Sequence, residues 1–228
     1  LPNGISMRLM HRSFSTVPLR IKAIPLTAID LKDTRFCISY GHRLTALTDS
    51  ITKVGILTPP LIRKRSPTTY HIVCGFRRVQ ALQTLRVSSV VPCRIVSARL
   101  TARECLLLSL YDNLSHRELN PIEKSLVVNK LKDYYDDDTI IRQFLPLLKL
   151  HPHLSQLILI TPLSGLKREI KDALLEGTIS EHTASSLSRL DREGRNALTR
   201  LLITLSLSMS SQAEVIEHSL EILSLIHI

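Results

Sequence analysis

His71-Ile72-Val73-Cys74-Gly75-Phe76-Arg77-Arg78 is the stretch on which the fold turns. Tyr70 to Cys74 reads as a strand, Gly75 ends it, and Arg77 to Leu85 then carries a helical pattern. A strand that passes through glycine directly into a helix is a natural anion-binding turn. Glycine lets the backbone come close to an anion, and the new helix offers N–H groups without partners. Two arginines in the first turn add forked donors suited to phosphate. Taken alone, a Gly-x-Arg-Arg turn serves a structural role as often as a functional one.

Elements on both sides extend the reading. Pro59-Pro60 turns the chain into a strand, Leu61 to Lys64, and Ser66-Pro67-Thr68 closes a hairpin onto Tyr70. Upstream, Leu44, Leu47, Ile51 and Val54 recur at helical spacing until Gly55 stops them. Ile21 to Ile29 reads as one short extended segment, which Pro25 confines to an edge. Downstream, Val90 to Val96 is a further strand. The first hundred residues therefore predict a small α+β unit.

Strand signals then stop. Thr101 to Leu110 reads as a helix, and Asn120-Pro121-Ile122-Glu123 combines a cap, a first-position proline and a capping box, opening a helix that runs to about Tyr134. Asp136-Asp137-Asp138 is an acidic start for the next. Four or five short helices are expected from Thr139 to Ile203, broken by Pro146, Pro152, Pro162, Gly165 and Gly177, and a last one from Gln212 to Leu225. Such a series suits a helix-turn-helix module or a generic helical bundle. Between the helices, Asp112 to Glu123 reads as a polar linking segment whose acid and amide, Asp112 and Asn113, could hold a magnesium ion.

Charge divides the chain in the same place. Residues 1–100 hold sixteen Lys and Arg against three Asp and Glu, while residues 101–228 hold fourteen against seventeen. A basic first half calls for an anionic partner such as nucleic acid or nucleotide phosphate. Without tryptophan, and with 4% aromatic residues, single-strand binding by base stacking is disfavoured. Cys37, Cys74, Cys93 and Cys105 form no CxxC pair, so buried free thiols are expected rather than zinc. No apolar run reaches the length of a membrane span.

Three segments together resemble the ParB partition family, in the family's order. "LTDSITKVGILTPPLI", Leu47 to Ile62, is similar to its first box. "YHIVCGFRRVQALQTL" is similar to its arginine box, usually Gly-Glu-Arg-Arg. "DNLSHRELNPIEKS" is similar to the box Glu-Asn-x-x-Arg followed by Asp-Leu-Asn-Pro-Ile-Glu. The resemblance is good over residues 24–135 and holds in outline over 136–203. It implies an α+β domain of the fold shared with the sulfiredoxins, followed by an all-α helix-turn-helix-type domain. It divides the chain into a disordered segment 1–20, a nucleotide-binding domain 21–98, helices completing the site at 99–135, a DNA-binding domain 136–203, and a helix or truncated tail at 204–228.

The implied function is a CTP-responsive DNA-binding factor for plasmid or chromosome segregation. CTP and Mg2+ would be its cofactors. Double-stranded DNA, a second copy of the chain and a ParA-type ATPase would be its partners, at the nucleoid in the cytoplasm. By position, Thr58, Pro59, Gly75, Arg77, Arg78, Asn113 and His116 would contact the nucleotide, and Asp112 with Asn113 the metal. Lys149, His151, Lys167, Arg168 and Arg189 would reach DNA phosphates, with the recognition helix near His151 to Ile160.

The chain departs from the pattern twice. Phe76 replaces the glutamate of the arginine box, and His116 replaces the arginine of the third. Arg117 is adjacent, but on a helical backbone it would point elsewhere. These changes favour binding over turnover, so at most a weak CTPase is expected. Cys74 lies two residues from the sulfiredoxin cysteine position, so redox chemistry is not expected, and no clustered carboxylates and histidines suggest a nuclease. The alternatives are a nucleotide hydrolase or phosphotransferase of this fold, and a DNA-binding module that has lost the nucleotide.

Overall fold

Pro25 decides how the sheet begins. In the computed structural model, which describes residues 21–86, 89–205 and 207–226, Ile21–Pro25 forms strand β1 and pairs only with Val90–Val96, strand β5. Proline has no N–H to give a second neighbour, so an edge is where it can stand. The extended segment expected from Ile21 to Ile29 is in fact two strands. A 3-10 turn, Leu26–Ala28, bends the chain away, and Ile29–Asp30 (β2) joins the opposite edge, parallel to Tyr70–Cys74 (β4). With Leu61–Lys64 as β3, the order across the mixed sheet is β1-β5-β3-β4-β2. The N-terminal segment 1–20, expected to be disordered, lies outside the described residues.

The chain divides into two compact units, Leu1–Arg117 and Glu118–Ile228. In the first, helices α1 (Thr45–Val54) and α2 (Phe76–Leu85) bury Ile51, Val79 and Leu82 against Ile24, Ile62, Ile72, Val91 and Cys93 of the sheet. Each such aliphatic side chain contributes about 1.5–3 kcal/mol on burial. Helix α3 (Ala102–His116) lies against β4. It opens on Thr101, whose hydroxyl accepts from Glu104 N while the Glu104 carboxylate accepts from Thr101 N. No glycine or proline interrupts it after Leu110, so it continues for six residues beyond the expected end.

Buried His71 of β4 points its Nδ1 at Asp33 Oδ2, 2.5 Å away. Burial holds the imidazole below its ordinary value of 6.5, outweighing the opposite pull of Asp33. Burial works to raise Asp33, but the Arg35 N–H, the Arg35 guanidinium and His71 together hold it below the usual carboxylate range. At mildly acid pH the unfolded chain therefore binds more protons at His71 than the folded one. This residue's contribution is complete above 6.5 and is lost as pH falls below it; that of Asp33 is lost only further down, below 3.8. The urea midpoint, read by circular dichroism, should fall between about pH 7.5 and 5.5, and the His71→Gln variant should fall less steeply. Parallel profiles for the two proteins would show that His71 is not the group responsible.

The second unit is helical. The box expected at Asn120 forms: Asn120 Oδ1 accepts from Glu123 N and Glu123 Oε2 accepts from Asn120 N, each at 3.0 Å, opening α4 (Pro121–Leu131). Asp136 Oδ1 caps the next helical run, 137–147, whose centre, Ile140–Phe144, is a π turn ahead of Pro146. Then come α5 (Leu154–Ile160), α6 (Arg168–Leu175), α7 (Glu181–Leu187), α8 (Arg192–Leu205) and α9 (Met209–Ile226). The run 137–147 and α5, joined by residues 148–153, are the pair that the helix-turn-helix expectation concerns. No helix among the described residues is long and apolar enough to cross a membrane.

Candidate nucleotide site

At Gly75 the strand stops and the helix starts within one residue. Gly75 caps α2 in the left-handed region, φ 89° and ψ 26°, and its carbonyl accepts from Arg78 N and Val79 N. Its open side rests on Pro60: a Cβ there would lie 3.0 Å from Pro60 Cβ and 3.1 Å from its Cα. Two strand ends and the first turn of α2 are thus held together with no side chain between them. A cleft of about 200 Å3 opens at this point.

The cleft is lined by Gly75, Phe76, Arg77 and Arg78 from the turn, Ser109, Asp112, Asn113 and His116 from α3, and Arg117 beyond it. Ile38, Ser39 and Leu47 complete it. Arg77 and Arg78 are half-buried. Arg77 Nη2 reaches the carbonyl of Arg43 at 3.5 Å. The Arg78 guanidinium has no hydrogen-bonding partner in the protein among the described residues. A partly desolvated guanidinium that the protein leaves unsatisfied is a receptor for an anion.

Of the residues expected to touch nucleotide, five line the cleft: Gly75, Arg77, Arg78, Asn113 and His116. Thr58 and Pro59 do not. Thr58 is exposed, and it is Pro60, the residue after Pro59, tied through its carbonyl to Arg94 N, that meets Gly75. The linking segment expected over Asp112 to Glu123 is also corrected, because Asp112, Asn113 and His116 stand on the last turns of α3. His116 extends outward, 63% exposed, with Nε2 3.9 Å from Asp112 Oδ1.

Arg117 was expected to point away, and it does not. It leaves the helix in extended conformation, φ −163° and ψ 163°, and its Nη2 donates to Asn113 Oδ1 at 3.0 Å and Ser39 Oγ at 3.3 Å. The Asn113 amide is held from its other side, where Nδ2 donates to the Ser109 carbonyl at 2.8 Å. Asp112 and Asn113 are the residues expected as magnesium ligands; here the Asn113 amide oxygen accepts from the Arg117 guanidinium, while Asp112 lines the cleft. Among the described residues no group of three or more His, Cys, Asp or Glu could hold a metal.

Sequence reading missed Ser39, Ser109 and Arg117. Ser39 comes from an irregular loop that no periodicity marks. Arg117 was detectable only as the residue four beyond Asn113, a spacing at which side chains meet. A second hollow of about 460 Å3 shares Ser39, Phe76 and Arg77 with the cleft and adds uncharged polar groups from Thr34, Tyr40, Gln80 and Gln83. Phe76 also packs against the core, so the ring fills space where a carboxylate would have offered chemistry.

Burial pushes the Cys74 thiol far above its ordinary value, with Asp112 adding to the effect, and it raises Cys93 and Cys105 to about 11. Such thiols are not nucleophiles near neutral pH.

The residues expected to reach DNA all lie in the second unit. Lys149 pairs with Glu118 at 3.3 Å, Arg168 with Asp172 at 3.3 Å, and Lys167 donates to Asn196, while His151 and Arg189 are exposed. Helix α5, inside the expected recognition stretch, carries no charge and exposes Leu154 and Ile158.

Residues 15–114 match the ParB N-terminal domain family. Over 87 residues the chain is 40% identical to a probable plasmid-partitioning protein ParB of Thermus thermophilus, covering 38% of this chain and 28% of that protein. It is 28% identical over 146 residues to a nucleoid occlusion protein of Lysinibacillus sphaericus, covering 64% and 47%. A C-terminally truncated Caulobacter crescentus chromosome-partitioning protein ParB, solved in complex with the centromeric parS site, aligns over 86% of this chain and 99% of that one, at 21% identity and a TM-score of 0.43. The same protein with CTP-gamma-S aligns over 81% and 99%, at 22% and 0.37. The chain spans about half the length of the nucleoid occlusion protein, and less of the Thermus one.

Proposed function

We propose that this chain, whose residues 15–114 belong to the ParB N-terminal domain family, is a CTP-responsive DNA-binding factor of the partition and nucleoid occlusion kind. The observation that carries this reading is the half-buried pair Arg77 and Arg78 at the start of α2, which line the cleft together with Gly75, the Arg78 guanidinium making no hydrogen bond among the described residues. The triphosphate would lie against the first turn of α2 between these arginines. The hollow that shares Ser39, Phe76 and Arg77 would take the nucleoside, whose hydrogen-bonding edges suit its uncharged polar lining. Double-stranded DNA would meet the second unit through backbone phosphates, reached from Lys149, His151, Lys167, Arg168 and Arg189. A second copy of the chain and a ParA-type ATPase are the partners this reading implies, at the nucleoid in the cytoplasm.

Binding is favoured over turnover. Phe76 offers no carboxylate to orient water, and Asp112 is the one acid among the described residues that line the cleft, so at most weak CTPase activity is expected. Calorimetric titration with CTP, using ATP and GTP as controls, tests the reading, together with fluorescence anisotropy of a double-stranded DNA mixture at rising salt. CTP should bind more tightly than either purine nucleotide, and CTP should change DNA retention. Absence of heat with CTP, or retention indifferent to CTP, would reject the nucleotide switch.

A further inference from the structure

Arg117 gives the cleft a third fixed cation, and it does so because α3 has ended. Its own N–H still closes the helix, donating to the Asn113 carbonyl at 3.1 Å, while its extended backbone swings the side chain back beside the last turn. There the guanidinium holds Asn113 Oδ1 and Ser39 Oγ. The arrangement is braced from below: Asn113 Nδ2 donates to the Ser109 carbonyl, and Ser109 Oγ to the buried carbonyl of Phe36, each at 2.8 Å. Turning the amide to present its oxygen elsewhere would break both of its hydrogen bonds.

A hard divalent cation needs several oxygen ligands and is repelled by a neighbouring positive charge. Here the amide oxygen is taken by that positive charge. Asp112 is the one carboxylate among the described residues that line the cleft. What the site has in place of metal ligands is three guanidiniums, each a planar, permanently charged fork that matches phosphate oxygens.

We infer that the site takes its polyphosphate without a protein-held divalent metal, Arg117 supplying beside Arg77 and Arg78 the charge such an ion would bring. This rests on the nucleotide-binding reading above. It also accounts for His116, which stands at the third-box arginine position but is largely exposed. The neighbouring residue does the work from a different backbone conformation.

The test is calorimetry of the full chain with CTP, in magnesium-containing buffer and in EDTA. Wild-type affinities in the two buffers should agree within about threefold. Arg117→Ala should bind about tenfold more weakly in EDTA and regain affinity with magnesium, since a charge-assisted hydrogen bond is then lost. Arg117→Lys, which keeps the charge without the fork, should fall between them, and it decides the matter if the alanine variant does not fold. Wild-type binding that survives in magnesium but drops more than about tenfold in EDTA would overturn the inference and leave the nucleotide reading intact. No binding in either buffer would remove the reading on which the inference stands, and the inference with it.

Discussion

Replacing Arg77 and Arg78 together by alanine should weaken CTP binding by at least about 100-fold, because each removes charge-assisted hydrogen bonds of roughly 1.5–3 kcal/mol. The fold should survive. Among the described residues the Arg78 guanidinium donates no hydrogen bond, and the one that Arg77 Nη2 donates to the Arg43 carbonyl is long at 3.5 Å. Removing two adjacent half-buried positive charges also relieves their mutual repulsion, which the nucleotide-free protein otherwise carries. The measurement is CTP calorimetry paired with urea denaturation of the same sample. Lysine at both positions should recover only part of the affinity, since a point charge lacks the fork. Undiminished affinity in the alanine variant would show that the cleft beside α2 is not where nucleotide sits.

What could be read from residues alone was what local chemistry dictates. Both capping boxes form at helix starts, at Thr101 with Glu104 and at Asn120 with Glu123, although only the second had been recognised in the sequence. The strand-glycine-helix turn at Gly75 was equally plain, because positive φ and close approach leave few other residues a choice. Pairing over distance was not legible. Nothing in Ile21 to Ile29 says that its two ends join opposite edges of one sheet, since that depends on β5 and β4, some 40 to 70 residues away in sequence. The site suffered from the same limit. Arg117 was assigned by assuming a helical backbone, and the helix stops one residue earlier. Thr58 and Pro59 were placed by order in a box, whereas contact with Gly75 was decided by the strand that begins after Pro60. In the second unit, basic residues could be named, but α5 presents Leu154 and Ile158 to solvent where charge had been looked for nearby.

Gly75→Ala is the single substitution expected to cost the first unit most for the fewest atoms added. A φ of 89° is left-handed, and a Cβ there costs roughly 1–2 kcal/mol by itself. The added methyl would then stand 3.0 Å from Pro60 Cβ and 3.1 Å from Pro60 Cα. Pro60 cannot easily yield, because it is buried and its carbonyl accepts from Arg94 N at 2.9 Å within the sheet. Overpacking of this kind adds about 1–3 kcal/mol, for a combined loss of roughly 2–5 kcal/mol. The third neighbour of the methyl is Arg78 Nη1, at 3.2 Å, so the arginine proposed to bind nucleotide would be pushed aside as well. Gly177→Ala is the control. Its φ of 75° imposes similar backbone strain, but a Cβ there meets nothing within 4 Å. Hydrogen–deuterium exchange over residues 61–96 should accelerate strongly in Gly75→Ala, and CTP affinity should fall with it, while Gly177→Ala leaves both unchanged. Equal protection of residues 61–96 in Gly75→Ala and the wild type would mean that Pro60 does not hold this turn closed.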